Sequence, residues 1–366
     1  MKKVIKNVMA LMLGLTFTFW IVGCSSNSDK QGNENEVSIE TNTTENENKI
    51  FSITDSYDRT VEFDKVPETI GVLNSDIYQL ICLLGGKDKV VGIADSVKFP
   101  APSENAQVLG KWNEINVEKV IEVNPEVLFA YGKYTEEEAK KKLEAAGIKV
   151  LFIDSYKFDQ MADEVTKVGQ ILGAEDKAEE FNTFVKKYVD LINDRVGNIS
   201  EEEKVNVYFE GYTDYKSVGQ GSGGHELLTR AFVSNIAASE EVEYPEISDE
   251  WMIEKNPEVI IKVVSASKEI LGFGITDLSK AEEAYNTLIG RTGWVNLDAV
   301  KNNKVYILDN STTLSAQGSI IGALQIAKIC YPDKFEDINI EDIHKELYSK
   351  FYGMDLEGKF IYGRDN

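Results

Sequence analysis

An amphipathic stretch near the middle of the chain, from about Ala174 to Val196, constrains the fold most strongly. Its apolar side chains recur at i, i+3, i+4, i+7 and i+11 and are separated by charged residues: Phe181, Phe184, Val185, Tyr188 and Ile192. This spacing predicts a helix with one buried face. About two dozen helical residues make a rod on the order of 30 Å long.

The sequence repeats itself on the two sides of this stretch. Residues 116–128 read NVEKVIEVNPEVL, and residues 248–260 read SDEWMIEKNPEVI. The two segments share two glutamates, the tetrapeptide Asn-Pro-Glu-Val and a final aliphatic residue. We therefore predict two α/β lobes of related build, joined by a single long helix, with a ligand cleft between them.

Strand and helix signals alternate along both halves with short links, which predicts parallel sheets covered by helices on both faces. We place the N-terminal α/β lobe at residues 49–157, the interlobe helical segment at 158–198 and the C-terminal α/β lobe at 199–366.

The N-terminus has the pattern of an export signal. Lysines precede an apolar run that is short for a membrane-spanning helix. The run ends at Ile21-Val22-Gly23-Cys24, which resembles the lipobox of bacterial lipoproteins. We expect a signal peptide over 1–23, lipidation of Cys24 and a disordered polar tether over 24–48. The alternative is an ordinary signal with an incidental cysteine.

The charge balance argues against nucleic acid as a partner. The chain of 366 residues carries 62 acidic and 39 basic side chains, a formal net charge of −23, with a basic cluster only at the extreme N-terminus.

The remaining cysteines, Cys82 and Cys330, lie far apart among apolar neighbours, and we predict free thiols without a disulfide.

Residues with the potential for catalysis or metal binding are few. The glycine-rich loop 219–224 allows a phosphate cradle, but it lacks the lysine of a P-loop, so a turn at the cleft edge is favoured. With only His225 and His344, the chain offers no cage for a bare transition metal. A catalytic triad is not apparent, so we expect no enzyme activity.

Several motifs together resemble one family. They are the lipobox and tether, Ile53-Thr-Asp-Ser-Tyr-Asp-Arg-Thr-Val61, Gly110-Lys-Trp112, the repeated Asn-Pro-Glu-Val, and the segment from Gly293 to Tyr306. The chain is similar, from Phe51 onward, to the helical-backbone (class III, TroA-like) substrate-binding lipoproteins of ABC importers that capture ferric siderophores, haem and cobalamin.

The resemblance implies roles for particular side chains. Glu118 and Glu250, already paired by the repeat, correspond to the glutamates that dock onto permease arginines. Aromatic groups that line the family's cleft correspond to Trp112, Tyr131 and Tyr244. We add Tyr212, Tyr215 and His225 as further ligand-binding candidates, and Lys133, Lys216 and Lys268 as partners for a carboxylate-bearing chelate. For each tyrosine, a partly buried core position is the alternative.

The sequence therefore predicts a lipid-anchored extracytoplasmic receptor, monomeric and without a cofactor of its own, that delivers a metal chelate to an ABC permease and its ATPase. A ferric siderophore is the first expectation, a corrinoid such as cobalamin the second and haem the third. A ligand sensor and an enzyme are the rival classes.

Overall fold

The computed structural model describes residues 51–153, 158–312 and 317–364. Cys24, the signal peptide and the tether lie outside the described residues. Those that are described include two five-stranded sheets, one on each side of a long helix. The expected α/β fold with two lobes is confirmed.

The N-terminal lobe is built on a wholly parallel sheet of order β5-β4-β3-β8-β9. Its elements are, in chain order, β1 (Phe51–Thr54), β2 (Thr60–Phe63), β3 (Ile70–Val72), α1 (Ser75–Leu83), β4 (Val90–Ile93), β5 (Gln107–Val108), β6 (Gly110–Lys111), β7 (Glu114–Ile115), α2 (Val117–Val123), β8 (Val127–Ala130), α3 (Glu137–Ala145) and β9 (Lys149–Phe152).

Two helices lead from one lobe to the other, α4 (Met161–Leu172) and α5 (Glu175–Val196). Gly173 separates them in the left-handed conformation, with φ 66°, which glycine adopts without strain. The helix α5 is the rod expected from the sequence, and all five of its periodic apolar residues are buried.

The C-terminal lobe has a sheet of order β11-β10-β12-β14-β16. Its elements are β10 (Asn206–Glu210), α6 (Gly223–Arg230), β11 (Ser234–Asn235), α7 (Asp249–Lys255), β12 (Val259–Val264), β13 (Gly272–Phe273), α8 (Ser279–Ile289), α9 (Asp298–Lys301), β14 (Val305–Asp309), α10 (Ser319–Cys330), α11 (Ile340–Leu347), β15 (Gly358–Lys359) and β16 (Ile361–Tyr362).

One strand departs from the parallel arrangement expected for both lobes. The edge strand β16 pairs with β14 in the antiparallel sense. A parallel addition needs the chain to cross back over the sheet before the strand begins. Instead, the chain runs from α11 through a π-helical turn (Tyr348–Tyr352) and returns from the opposite end.

The buried apolar residues form one continuous core from the N-terminal sheet through α4 and α5 to α10, and a second core on the other face of the C-terminal sheet. Alternate residues of β12 divide between them, as the two-residue period of a strand requires. Val259, Ile261 and Val263 face the first core, and Ile260 and Val264 face the second. The rod is therefore part of the core of the molecule.

A cluster of rings joins the lobes beside α5, and we call it the interlobe aromatic contact. Phe99 of the N-terminal lobe stacks on Phe273 of β13, with ring centroids 4.1 Å apart and planes inclined by 14°. Tyr348 and Tyr352 of the π-helical turn also approach Phe99, at 6.0 and 6.2 Å. No pattern in the sequence indicated this second connection.

Candidate functional site

Three aromatic side chains converge where the N-terminal sheet ends, and we call them the N-lobe aromatic group. Trp112 lies in the turn between β6 and β7, Tyr131 directly follows β8, and Tyr134 ends the short 3-10 turn after it. The Trp112 ring meets Tyr131 at 6.1 Å and Tyr134 at 4.9 Å, both edge to face. Trp112 and Tyr134 remain 41% and 42% exposed. Clustered rings left open to solvent are typical of a surface that binds a ligand.

The position of Tyr131 is fixed by Asn74, the residue that caps α1. Its hydroxyl donates a hydrogen bond to Oδ1 of the buried Asn74, at 3.0 Å. The same oxygen accepts hydrogen bonds from the backbone N–H groups of Asp76 and Ile77, at 2.8 and 3.2 Å, and so caps the helix. Because Asn74 is held in this way, the Tyr131 ring is positioned before any ligand arrives.

The C-terminal lobe presents two further exposed tyrosines on the other side of the cleft. Tyr212 and Tyr244 are 45% and 52% exposed. Burial raises the pKa of Tyr244, and the charge of Glu243 and the phenol of Tyr134 add to the effect, so Tyr244 lies near the N-lobe aromatic group. Burial raises the pKa of Tyr212 to about 12, with further contributions from Asp76, Asp309 and Tyr244. The two lobes thus face each other through aromatic side chains.

Asp76, which the sequence analysis did not single out, lies near Tyr212 of the opposite lobe. It lies in the first turn of α1, and burial raises the pKa of its carboxyl to about 7. Among the described residues no cation forms an ion pair with it. A desolvated carboxyl group of this kind is typical of functional sites, because a ligand supplies the missing partner.

The C-terminal sheet carries a compact ion network on the side that faces α8. Glu210, fully buried at the end of β10, accepts two hydrogen bonds from Arg291, at 2.7 and 2.9 Å, and pairs with Lys262 of β12 at 2.9 Å. Lys262 and Arg291 also pair with Asp214, at 3.0 and 3.3 Å. The Arg291 guanidinium lies 4.1 Å from the ring centroid of Tyr215.

The remaining candidate residues lie in different settings. Tyr215 packs edge to face on Trp294, and the described contacts do not join it to the N-lobe aromatic group. Lys133 lies 5.8 Å from the ring centroid of Tyr134, Lys268 lines a pocket beside Tyr212, and Lys216 forms a strand bridge with Glu246. Contact of each with a ligand stays a prediction.

His225 is held by a neighbour within its own lobe. Its Nδ1 lies 3.0 Å from Nδ2 of Asn235, whose amide also donates to Val218 O and accepts from Ala237 N. The amide orientation is thereby fixed, so Nδ1 accepts a hydrogen bond and the proton of the neutral ring is on Nε2. Burial lowers the pKa of His225 in agreement with a neutral ring. In the described ranges no group of three or more His, Cys, Asp or Glu side chains is arranged to hold a metal ion.

The glycine-rich loop packs closely against its own chain. The N–H of Gly219 donates to Glu243 O at 2.7 Å, and a Cβ at this position would lie 2.4 Å from Val242 O. Ser222 caps α6 by accepting a hydrogen bond from His225 N at 3.2 Å. The glycines therefore allow the close approach of the segment that carries Tyr244.

The two segments of the repeat have the same local structure. Glu118 and Glu250 are exposed in the first turns of α2 and α7, which begin at capping residues Asn116 and Ser248. Both helices end at an asparagine in the left-handed conformation and are followed by an interior strand, β8 in one lobe and β12 in the other. The glutamate of Asn-Pro-Glu-Val accepts a backbone N–H in each lobe: Glu126 from Glu68, at 2.6 Å, and Glu258 from Asn206, at 2.9 Å.

Residues 70–312 match the family model described as periplasmic binding protein, which spans both lobes. The chain belongs to this family. It is 27% identical over 325 residues to the uncharacterized ABC transporter substrate-binding lipoprotein YvrC of Bacillus subtilis, covering 87% of this chain and 95% of the relative. It is 23% identical over 337 residues to the molybdate-binding protein MolA of Haemophilus influenzae, with coverages of 82% and 90%.

Among solved structures, the TroA-like periplasmic binding protein FepB from Veillonella parvula superposes with a TM-score of 0.73 at 26% identity, covering 85% of this chain and 99% of that one. The family resemblance inferred from the sequence is thus confirmed. In the part of the chain that is described, no helix has the length and apolar content to cross a membrane.

Proposed function

We propose that this periplasmic binding protein is the substrate-binding lipoprotein of an ABC importer and that it captures a metal chelate, first of all a ferric siderophore. The observation that carries the proposal is the set of exposed aromatic side chains facing each other from two lobes. Flat apolar surfaces of this kind bind the ring systems of catecholates and macrocycles by stacking and exclude water around them. The YvrC name supports assignment to an ABC transporter.

A corrinoid such as cobalamin is the second candidate. The specific observation in its favour is the breadth of the aromatic surface, with Trp112 and Tyr134 on one lobe and Tyr212 and Tyr244 on the other. A macrocycle has two large faces and can contact both lobes at once. Haem offers the same geometry and ranks third.

Delivery of the ligand would use Glu118 and Glu250. One exposed carboxylate on each lobe, at the same place in the repeated unit, suits two equivalent basic sockets on a permease with two-fold symmetry. Lipidation of Cys24 would hold the receptor at the membrane. Replacement Cys24→Ala should move the protein from the detergent phase to the aqueous phase after partition, and retention in the detergent phase would contradict the anchor.

Native mass spectrometry of the protein purified from metal-replete cells tests the ligand assignment. A siderophore, a corrinoid and a haem differ in mass and in absorption spectrum. We expect an adduct with the mass of an iron chelate. A cobalt macrocycle would support the second candidate. The proposal fails if none of the three classes binds, either in this experiment or when added to the purified protein.

A further inference from the structure

The ion network of the C-terminal lobe borders a pocket of 520 Å³. The pocket lies at the carboxyl ends of β10 and β12, where open α/β sheets bind their ligands, and α8 closes its far side. Tyr212 lines both this pocket and the cleft. The other polar lining includes Asp214, Lys262, Lys268, Lys280 and Arg291. The cavity therefore adjoins the cleft at Tyr212, and its charged lining has four cationic side chains against two acidic ones, Asp214 and Glu283.

The buried charges of this network do not balance by themselves. The side chains of Lys262 and Arg291 are 10% and 8% exposed, and the fully buried Glu210 supplies one negative charge for the two cations. Asp214 supplies the second, although its side chain is 68% exposed. A buried cation without a partner is energetically costly, so a second anion is required beside Lys262 and Arg291. The carboxylate of Asp214 supplies it, although most of that side chain is exposed to water.

We propose that this pocket receives an anionic oxygen group of the imported ligand, a carboxylate or a phosphate. Without ligand, the Asp214 carboxylate occupies the position of that group beside Lys262 and Arg291, and the ligand displaces it. The incoming oxygens take over the hydrogen bond from Lys262 and the contact with Arg291, while the pairing of both cations with Glu210 persists. Arginine suits this exchange because its planar fork binds carboxylates and phosphates alike.

Two further observations agree with an exchange of anions. Burial acts to raise the pKa of Asp214, but the hydrogen bond and charge of Lys262, with Arg291 and Lys268, outweigh it, and the pKa lies below its ordinary value. Asp214 therefore supplies a full negative charge beside Lys262 and Arg291 at neutral pH. Lys268 at the rim attracts a second anion as it approaches, whereas Lys280 already pairs with Glu269 at 3.5 Å. The inference rests on the proposed importer function and narrows the ligand to chelates that carry acidic groups.

Calorimetric titration of the purified protein with succinate and, separately, with inorganic phosphate tests the exchange. Replacement Asp214→Asn removes the competing charge and leaves the shape, so the variant should bind at least one probe about tenfold more tightly than the native protein. Replacement Glu283→Gln is the matched control. Glu283 lines the same pocket and is exposed, but it does not pair with Lys262 or Arg291. This control should bind like the native protein.

The preferred probe identifies the source of the anionic group, since succinate stands for a carboxylate and phosphate for a phosphate ester. Equal effects of the two substitutions would show that net charge alone matters and would overturn the proposal. Failure of the Asp214→Asn variant to bind either probe would overturn it as well. Lys268→Gln, at the exposed rim, should weaken binding in the Asp214→Asn background about threefold. These titrations need no transporter, so their failure is distinct from failure of the importer function.

Discussion

The two lobes share one backbone unit but place different chemistry at the edge of the cleft. In both, an interior strand follows a capped helix, a left-handed asparagine, a proline and a glutamate that accepts a backbone N–H. Near the carboxyl ends of the strands, the N-terminal lobe carries clustered rings, and the C-terminal lobe carries paired charges in addition to its exposed tyrosines. The comparison teaches that the repeat determines the scaffold, while the side chains that line the cleft edge lie outside the repeated segments.

The glutamates that we propose for permease docking give the largest expected effect. If Glu118 and Glu250 are equivalent, the double replacement Glu118→Lys and Glu250→Lys should lower uptake into cells at least about 100-fold, because each reversed charge repels a basic socket. The dissociation constant for the ligand and the thermal stability should stay nearly unchanged, since exposed charges contribute little to folding.

Glu122 and Glu254 are the matched control for that experiment. They occupy the other shared glutamate positions of the repeat, on the same two helices, and both are exposed. Reversal of both to lysine should leave uptake close to the native rate. Weaker ligand binding by the Glu118 and Glu250 double variant would instead place these side chains in the cleft.

The N-lobe aromatic group should dominate the affinity for a ring-bearing ligand. Replacement Trp112→Ala is expected to weaken binding about 10- to 100-fold, because it removes an exposed anchor without disturbing the core. Tyr134→Ala should act similarly, whereas Tyr215→Ala should lower thermal stability more than affinity, since its ring packs on Trp294. Quenching of tryptophan fluorescence during titration gives the affinities. Unchanged affinity in the Trp112 variant would contradict the aromatic site.

Acidification should change the free energy of unfolding in opposite directions through one buried group in each lobe. Burial lowers the pKa of His344, in the C-terminal lobe, to about 4, against 6.5 for an exposed histidine. Between these values the unfolded chain binds a proton that the folded chain does not, so the free energy of unfolding falls as pH drops from 6.5 to 4, by about 3 kcal/mol. For Asp76 the raised pKa reverses the sign, and stability falls as pH rises from 3.8 to 7.

Urea unfolding at pH 7.5 and pH 4.5 separates these two contributions. The variant His344→Leu should lose less stability on acidification than the native protein, and Asp76→Asn should lose more. An identical pH dependence in all three proteins would contradict the burial of both groups.

The two left-handed asparagines give the smallest effects. Asn256 bridges to Asp298 through its amide, donating to the carboxylate and accepting the backbone N–H, both at 2.9 Å. Asn124 makes no such side-chain bonds within the described structure. Asn256→Gly should therefore lower the free energy of unfolding by about 1–2 kcal/mol, and Asn124→Gly should change it by less than about 0.5 kcal/mol, because glycine accepts positive φ without strain. Equal losses of unfolding free energy for the two variants, measured by chemical denaturation, would contradict this prediction.

The sequence was sufficient for features that depend on periodicity and on local signals. The stripe from Phe181 to Ile192 predicted the rod, and the structure buries all five of its periodic apolar residues. Trp112 and Tyr131 came from the family resemblance and do lie together. Tyr134 was missed, although it follows Tyr131 within one turn and an aromatic residue just after a strand end is a usable signal.

Features that depend on partners far apart in the chain could not be predicted from the sequence. Glu210 and Arg291 are far apart in the chain, and among 62 acidic and 39 basic residues nothing local marks which of them pair. Asp76 lies in the first turn of α1, and nothing in its own stretch of sequence indicates that its carboxyl group is desolvated. The stacking of Phe99 on Phe273 depends in the same way on how the lobes meet.

That stacking changes the kind of motion open to the molecule. Two bodies joined by a helix alone can bend in any direction across its axis. A ring contact beside the helix resists every bend that would separate Phe99 from Phe273, and rotation about the line through both attachments is the motion that keeps them intact. We therefore expect the cleft to open and close mainly by this rotation. One distance, between labels on the outer faces of the two lobes, is enough to follow it.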